Sequence, residues 1–325
     1  MKVGIGIDIG GTKCAAVLGN LDACDSIDTL MIDKVSFATE GTPDSVIARL
    51  IECTDALLKK HNISHEMLYK IGISCGGPLD SKKGVILGPP NLPGWDEVPI
   101  CAAFEKHYRI PVRLENDANA CAVAEWKFGA ARGYRNVVFL TCGTGLGAGL
   151  ILDGRLYSGT NDMAGEVGHL RLTEAGPVGY GKAGSFEGFC SGAGIAQLAQ
   201  MRILEKLQSG EKPALCPDIT KLTSITAKDV AVAAKTGDSF AKSILAESAS
   251  YLGRGLSLII DILNPEAIVL GSVYQRNADF MYPYVQQVVE REALQLSREV
   301  CRILPAALGD RVGDCAALAL TLLDT

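Results

Sequence analysis

Near its amino terminus the chain reads Val3-Gly4-Ile5-Gly6-Ile7-Asp8-Ile9-Gly10-Gly11-Thr12-Lys13. An apolar run breaks there at a carboxylate, two glycines, a hydroxyl and a lysine. A second stretch echoes it. Residues 3–9 read as a strand, 10–13 as a glycine turn, 14–18 as a second strand and Gly19-Asn20 as a tight turn. Residues 137–142 read as a strand, Gly143-Thr144-Gly145 as a glycine turn, 147–152 as a second strand and Asp153-Gly154 as a tight turn. The copies lie too far apart for a solenoid, so the repeat predicts two similar lobes.

The stretches between them alternate in the manner of an α/β chain. Thr42-Pro43 and the apolar spacing that follows predict a capped amphipathic helix. Short strands are predicted over 69–75 and 110–114, the first ending in Gly76-Gly77-Pro78 and the second in Glu115-Asn116-Asp117. Helices are predicted over 118–128 and 238–263, the latter stopped by Asn264-Pro265 before a strand at 267–270. A last strand and helix are predicted over 300–304 and 313–323.

The 325 residues suffice for two domains at the usual ~100–200 residues each. A 48% hydrophobic and 21% charged composition is that of a globular protein with a large core. The net charge of -6 argues against a non-specific nucleic-acid binder. No apolar run approaches the ~20 residues of a membrane span, and the first residues lack a signal-peptide pattern, so a cytoplasmic protein is expected. The 11 cysteines are scattered through apolar runs without any Cys-x-x-Cys pair, and read as small core residues in a reducing compartment.

Phosphate needs closely placed backbone N–H donors, and a Cβ would hold the backbone away. Gly10-Gly11 and Gly143-Thr144-Gly145 meet that need, with Thr12 and Thr144 adding hydroxyls, and two such loops would clamp one polyphosphate. Residues 143–148 also fit the dinucleotide pattern G-x-G-x-x-A, but a strand follows where that fingerprint must open a helix. Residues 176–182 fit G-x-x-x-x-G-K, but Ala183 stands where a magnesium-binding hydroxyl is required. Neither pattern survives.

Asp117 lies between a strand and a helix, where it suits a general base, a metal-facing charge or a simple cap, a task Asn116 could share. Glu166-Val167-Gly168-His169 places two polar groups three apart in a glycine-rich stretch, and Glu187 follows in another. Such carboxylates and an imidazole suit the recognition of hydroxyls.

Asp8-Ile9-Gly10-Gly11-Thr12-Lys13, Glu115-Asn116-Asp117-Ala118-Asn119-Ala120, Gly143-Thr144-Gly145-Leu146-Gly147 and Gly165-Glu166-Val167-Gly168-His169 occur in that order. Together they closely resemble the ROK family of repressors, open reading frames and sugar kinases. The resemblance spans nearly the whole chain and includes Pro89 through Trp95 and Asn264-Pro265-Glu266. It implies an α/β, actin/hexokinase-like (ribonuclease H-like) fold of two lobes with a cleft between them. The small lobe is expected over 1–117, with a C-terminal helix at 306–325 packing back on it, and the large lobe over 118–305.

The resemblance also implies roles. Asp117 would be the base that deprotonates a sugar hydroxyl. Gly77, Asn91, Asn116, Glu166, His169 and Glu187 would line the sugar pocket. Asp8 would face Mg2+-bound phosphates, with Gly10, Gly11, Thr12, Lys13, Thr144 and Gly145 beside them, and Gly271 and Ser272 near the adenine. Lys13 is the member whose family counterpart can point away. Many relatives hold zinc through three cysteines and the histidine of the Gly-His pair. Here Val178, Tyr180 and Ser185 replace the cysteines, so no structural zinc is expected, and Tyr180 or a carbonyl would orient His169 instead.

The implied activity is phosphorylation of a free hexose by ATP, with glucose at O6 as the first choice of acceptor. Fructose, mannose, N-acetylglucosamine and N-acetylmannosamine are the alternatives, and polyphosphate is an alternative donor. A sugar-sensing repressor would carry a helix-turn-helix ahead of the first phosphate loop, and Asp8 lies too near the start for one. An ATPase or chaperone of the same fold would leave Glu166, His169 and Glu187 unexplained. The expected partners are a sugar and a nucleotide, with no nucleic acid and no membrane, and such relatives are often homodimers.

Overall fold

The computed structural model describes residues 1–323, so Asp324 and Thr325 of the expected C-terminal segment lie outside the described residues. The chain divides into two compact units. One comprises Met1–Arg135, Gly149–Ala164 and the residues from 307 on; the other comprises Asn136–Ala148 and Gly165–Ala306.

The first unit is built on strands β1 (Val3–Ile9), β2 (Lys13–Asn20), β3 (Met31–Ala38), β4 (Leu68–Cys75) and β5 (Val112–Asn116), ordered β3-β2-β1-β4-β5. The β1–β2 and β2–β3 pairs are antiparallel, while β1–β4 and β4–β5 are parallel. The opening stretch alternates because its two faces differ. Ile5, Ile7 and Ile9 point into the main core of this unit with Leu50, Ile71 and Phe104. Gly4 and Gly6 lie on the other face, Gly6 beneath the C-terminal helix Val312–Ala319 and Gly4 against Leu21 and Thr321 just beyond it. A Cβ on Gly6 would sit 2.7 Å from the Leu318 amide nitrogen, and one on Gly72 would sit 2.1 Å from the Ala317 carbonyl oxygen. Only glycine admits a helix backbone that close.

Helix α1 (Pro43–Lys60) starts as its sequence predicts, with the Thr42 side chain accepting the Ser45 N–H and proline in the first turn. Its buried positions Val46, Ile47, Leu50, Thr54, Leu57 and Leu58 recur at three- and four-residue spacing. Lys59 and Lys60 in the last turn complement the helix dipole.

The second unit carries most of a sheet made of β6 (Val137–Cys142), β7 (Leu146–Leu152), β8 (Arg155–Tyr157), β9 (Ala267–Leu270) and β10 (Arg302–Pro305). Its order, β8-β7-β6-β9-β10, is that of the first sheet strand for strand. The strand-turn-strand echo is therefore the visible part of a five-stranded repeat. The division between the units falls within β7. Asp153 and Gly154 join β7 to β8 with φ of 53° and 75°, as a hairpin of the favoured twist requires. The longest helix, Ser239–Leu263, is capped by Asp238 and stops at Asn264 in the left-handed region, just before Pro265.

Four details depart from the sequence reading. Gly19 and Asn20 are not a turn, because β2 runs through Asn20, which pairs with Val3. The helix over 313–323 runs only over Val312–Ala319 and tightens into a 3-10 turn, Leu320–Leu322. The first unit extends to Arg135 rather than ending at Asp117, because the helix Asp117–Phe128 packs against Val312–Ala319. Strand β3, whose spacing gives no clean alternation, was invisible in the sequence. All eleven thiols are free; seven are buried and only Cys24 is exposed.

Candidate functional site

In the first unit the parallel strands β1, β4 and β5 end side by side, and their carboxyl ends carry the polar residues. The register aligns Asp8 with Ser74 and Ser74 with Glu115, and one step on it aligns Ile9 with Cys75 and Cys75 with Asn116. Ligands of α/β sheets bind beyond such strand ends. Burial pushes the Asp8 carboxyl up to about 7, the charges of Asp117 and Asp314 adding to the effect, while Lys34 and a hydrogen bond with Ser74 oppose it. The Cys75 thiol is pushed far up by burial and by the same two carboxylates, Asp117 and Asp8.

Asn116 is the cap of the helix Asp117–Phe128. Its Oδ1 accepts the Ala118 N–H at 2.8 Å, and Asp117 Oδ1 accepts the same N–H at 2.8 Å. Asp117 is thus the first helical residue, open to solvent yet crowded by protein atoms. Desolvation raises its carboxyl above the usual range, and the backbone hydrogen bonds hold the rise in check. Beside it, Gly76 and Gly77 let side chains approach. A Cβ on Gly76 would lie 3.3 Å from Asn91 Oδ1, and one on Gly77 would lie 3.1 Å from Asn116 Nδ2. Gly77, Asn91, Asn116 and Asp117 are therefore brought together. Gly11 packs on the Asn91 backbone, its would-be Cβ 2.3 Å from that carbonyl oxygen. The Gly10 amide donates to the Lys13 carbonyl at 3.1 Å, which corrects the expected donor set: among the described residues the Gly11 and Thr12 amides have no backbone acceptor, and Gly10 does. Lys13 is exposed at the start of β2.

The same strand-to-helix junction is pinned from below by residues that sequence reasoning passed over. Glu115, 3% exposed, takes Arg113 on Oε1 at 2.9 Å and Asn119 and Ser158 on Oε2, each at 3.3 Å. Glu115 and Asn119 stand two residues either side of Asp117, a symmetry readable in the sequence once the helix start is known.

In the second unit, Glu187 lies in the helix Phe186–Cys190, whose cap is Ser185. Its Oε2 accepts the Leu146 N–H at 2.9 Å, next to Gly143-Thr144-Gly145. His169 ends the 3-10 turn Val167–His169 opposite the Glu166 carbonyl, and its ring meets the Tyr180 ring edge-on, 5.3 Å between centroids. Lys182 Nζ donates to the His169 carbonyl at 2.7 Å. Glu166 is exposed at the head of that turn. Of the three residues at the cysteine positions, Ser185 accepts the Gly188 N–H, Tyr180 faces His169 and Val178 pairs with Ala183 in a short hairpin.

Also within the second unit is a cavity of about 850 Å³ lined by Gly143, Thr144, Ser272, Lys228, Lys235 and Arg276, among others. Much of its remaining lining is small or apolar, including Ala193, Ala196, Ala231, Val232 and Val273, with Thr226 and Asn277 adding polar groups. Ser272 adopts a left-handed φ of 48°, directly after Gly271, whose N–H donates to the Leu140 carbonyl at 3.0 Å. The loop carbonyls of Gly143 and Thr144 accept the Gly192 and Ala193 N–H groups at the start of the helix Gly192–Gln208. Sequence reasoning found Thr144 and Ser272 but missed the helix Ala227–Lys235, because an alanine-lysine helix face carries no motif.

The chain matches known proteins along almost its full length. The family model described as the ROK family matches residues 4–323. A glucokinase of Halalkalibacterium halodurans is 32% identical, covering 95% of this chain and 92% of its own. The xylose repressor of Bacillus subtilis is 27% identical over 94% of this chain but 73% of its own. Among solved structures, a glucokinase from Streptomyces griseus in complex with glucose and AMPPNP superposes with a TM-score of 0.75 at 27% identity, covering 98% of each chain.

Proposed function

We propose that this chain, which belongs to the ROK family and is a sugar kinase, transfers the γ-phosphoryl group of ATP to a free hexose, with glucose at O6 as acceptor and Asp117 as general base. The observation that carries this reading is the Asp117 carboxylate, raised by desolvation at a helix start and flanked by Asn91, Asn116 and the bare backbone of Gly77. A base of raised pKa takes a hydroxyl proton more readily than an ordinary carboxylate. In-line transfer asks little covalent chemistry of the protein; orientation and charge neutralisation supply most of the rate.

Asn91, Asn116, Glu166, His169 and Glu187 orient the ring hydroxyls so that the one beside Asp117 is the nucleophile. Asp117 takes its proton as the oxygen–phosphorus bond forms and the bond to ADP breaks. The open amides of Gly11 and Thr12 and the loop 143–145 hold the phosphates, and the cavity against Ser272 and the helix Ala227–Lys235 takes the nucleoside. Asp8 suits Mg2+ as a single carboxylate at a strand end, where the charges of Asp117 and Asp314 add to the pull for a cation and Lys34 opposes it. Mg2+ typically binds through one or two carboxylates plus substrate phosphates, and there it neutralises charge that develops on the phosphoryl group. Asp8 would hold it.

Val178, Tyr180 and Ser185 leave His169 without thiolate neighbours, so we propose that the hairpin is held without zinc, with the Tyr180 ring positioning His169. ATP use and eleven free thiols suit a cytoplasmic enzyme. Three cations around the nucleoside cavity keep polyphosphate as the second reading of the donor. A coupled assay over glucose, fructose, mannose, N-acetylglucosamine and N-acetylmannosamine, run with ATP and with polyphosphate, decides acceptor and donor. Asp117→Ala is expected to abolish turnover while sugar binding stays measurable; turnover at the wild-type rate would refute the assignment of the base.

A further inference from the structure

We infer that Glu187 is a positioning residue for the phosphate loop as well as a sugar ligand, so that sugar and nucleotide binding are coupled through its two carboxylate oxygens. The inference rests on the sugar-kinase reading and adds a link between its two substrates.

Three loops close around this one side chain, each through a glycine. A Cβ on Gly145, in the phosphate loop, would lie 2.9 Å from Glu187 Oε2. One on Gly168, in the turn that carries His169, would lie 3.3 Å from Glu187 Cβ, and one on Gly179, in the hairpin, 2.7 Å from the same atom. Gly168 also abuts the Leu146 carbonyl, where a Cβ would approach to 2.2 Å. The two contacts at Cβ fix where the side chain starts, and Gly145 abuts its carboxylate end. Its Oε2 holds the Leu146 N–H at 2.9 Å, one residue beyond Gly145. Its Oε1 has no partner among the described residues and is the oxygen left for a sugar hydroxyl.

A carboxylate is planar, so fixing one oxygen fixes the other. A hydroxyl donated to Oε1 sets the carboxylate plane, which sets Oε2, the Leu146 amide and with it the loop 143–145. By linkage the effect is reciprocal: a nucleotide that orders the loop must tighten the sugar by the same factor.

The test is calorimetric titration with a non-hydrolysable ATP analogue, with and without a saturating accepted sugar. Wild type, Glu187→Gln and Glu187→Ala are compared, each first checked for a wild-type circular-dichroism spectrum and melting curve. Wild type is expected to bind the analogue roughly five- to twenty-fold tighter with sugar present. Glu187→Gln retains an acceptor for the Leu146 N–H, so without sugar its affinity stays within about twofold of wild type while its coupling falls. Glu187→Ala loses the acceptor and binds the analogue about ten-fold more weakly without sugar, with no coupling left. Wild-type nucleotide affinity in Glu187→Ala, or undiminished coupling in Glu187→Gln, overturns the inference. A wild type that binds both substrates without coupling overturns it too. A wild type that binds neither substrate overturns the kinase reading itself.

Discussion

Asp8→Asn should stabilise the fold while abolishing activity, and the gain should depend on pH. The folded carboxyl titrates at about 7 against 3.8 for an unburied aspartate, because it is desolvated and faces Asp117 and Asp314. Below about pH 4 it is protonated in both folded and unfolded chains, and contributes no difference. As pH rises the unfolded chain releases this proton first, so native stability is lost progressively up to about pH 7 and the loss is complete above it. A shift of about three units corresponds to a ceiling of about 4 kcal/mol. Asparagine keeps the shape and removes the charge. Half of the ceiling would raise the melting temperature of the first unit by about 4–8 °C at pH 8, and by far less at pH 5. The assay is thermal unfolding of both proteins in chelator at the two pH values, then with Mg2+ and ATP. Those ligands should narrow the gap at pH 8 by stabilising wild type alone. A stability difference that is the same at pH 5 and pH 8 refutes the argument, as does a destabilised variant.

Three further substitutions follow from the packing. Gly72→Ala should destabilise by about 3 kcal/mol, read as a drop in denaturation midpoint, because its Cβ would meet the Ala317 carbonyl oxygen at 2.1 Å, backbone that cannot step aside. Glu125→Ala should cost about 2 kcal/mol or more in the same measurement, since this fully buried carboxylate accepts the Ala130, Ala307 and Leu308 N–H groups and its loss would leave the buried Leu308 N–H without its partner. Glu115→Gln should lower kcat more than it raises KM for either substrate, because it weakens the Arg113 and Asn119 contacts that hold the Asp117 junction without touching a ligand; equal loss in KM would count against that role.

How much of this was legible depended on local chemistry. The strand β1, the helix Pro43–Lys60, the stop at Asn264-Pro265 and the paired hairpins all announce themselves through short-range signals: alternation, caps and turn residues. Their alternation pointed to an α/β chain and their repetition to two lobes, while the actin/hexokinase-like fold was implied by the family resemblance. The residues near Asp117 were readable because the motifs that hold them are contiguous. What stayed hidden depends on partners far away in sequence. Nothing local marks β3 as a strand; it is one because β2 pairs with it. Glu125 looks like an ordinary helical glutamate until the segment at 307–308 arrives. The Gly10 amide looks free until the hairpin turns it onto Lys13. The boundary at Arg135 is equally non-local, set by a helix at the other end of the chain.

That last helix bears on how the protein is made. The glycines of β1 and β4 form a bed for Val312–Ala319, and Lys70 Nζ donates to the Leu323 carbonyl at 2.8 Å. One face of β1 therefore stays bare until residues 312–319 have been made and can pack on it. The second unit, complete in sequence at Ala306, can fold earlier. During that interval the nascent first sheet, whose strand ends carry Asp8 and lead to Asp117, exposes its glycine-lined face.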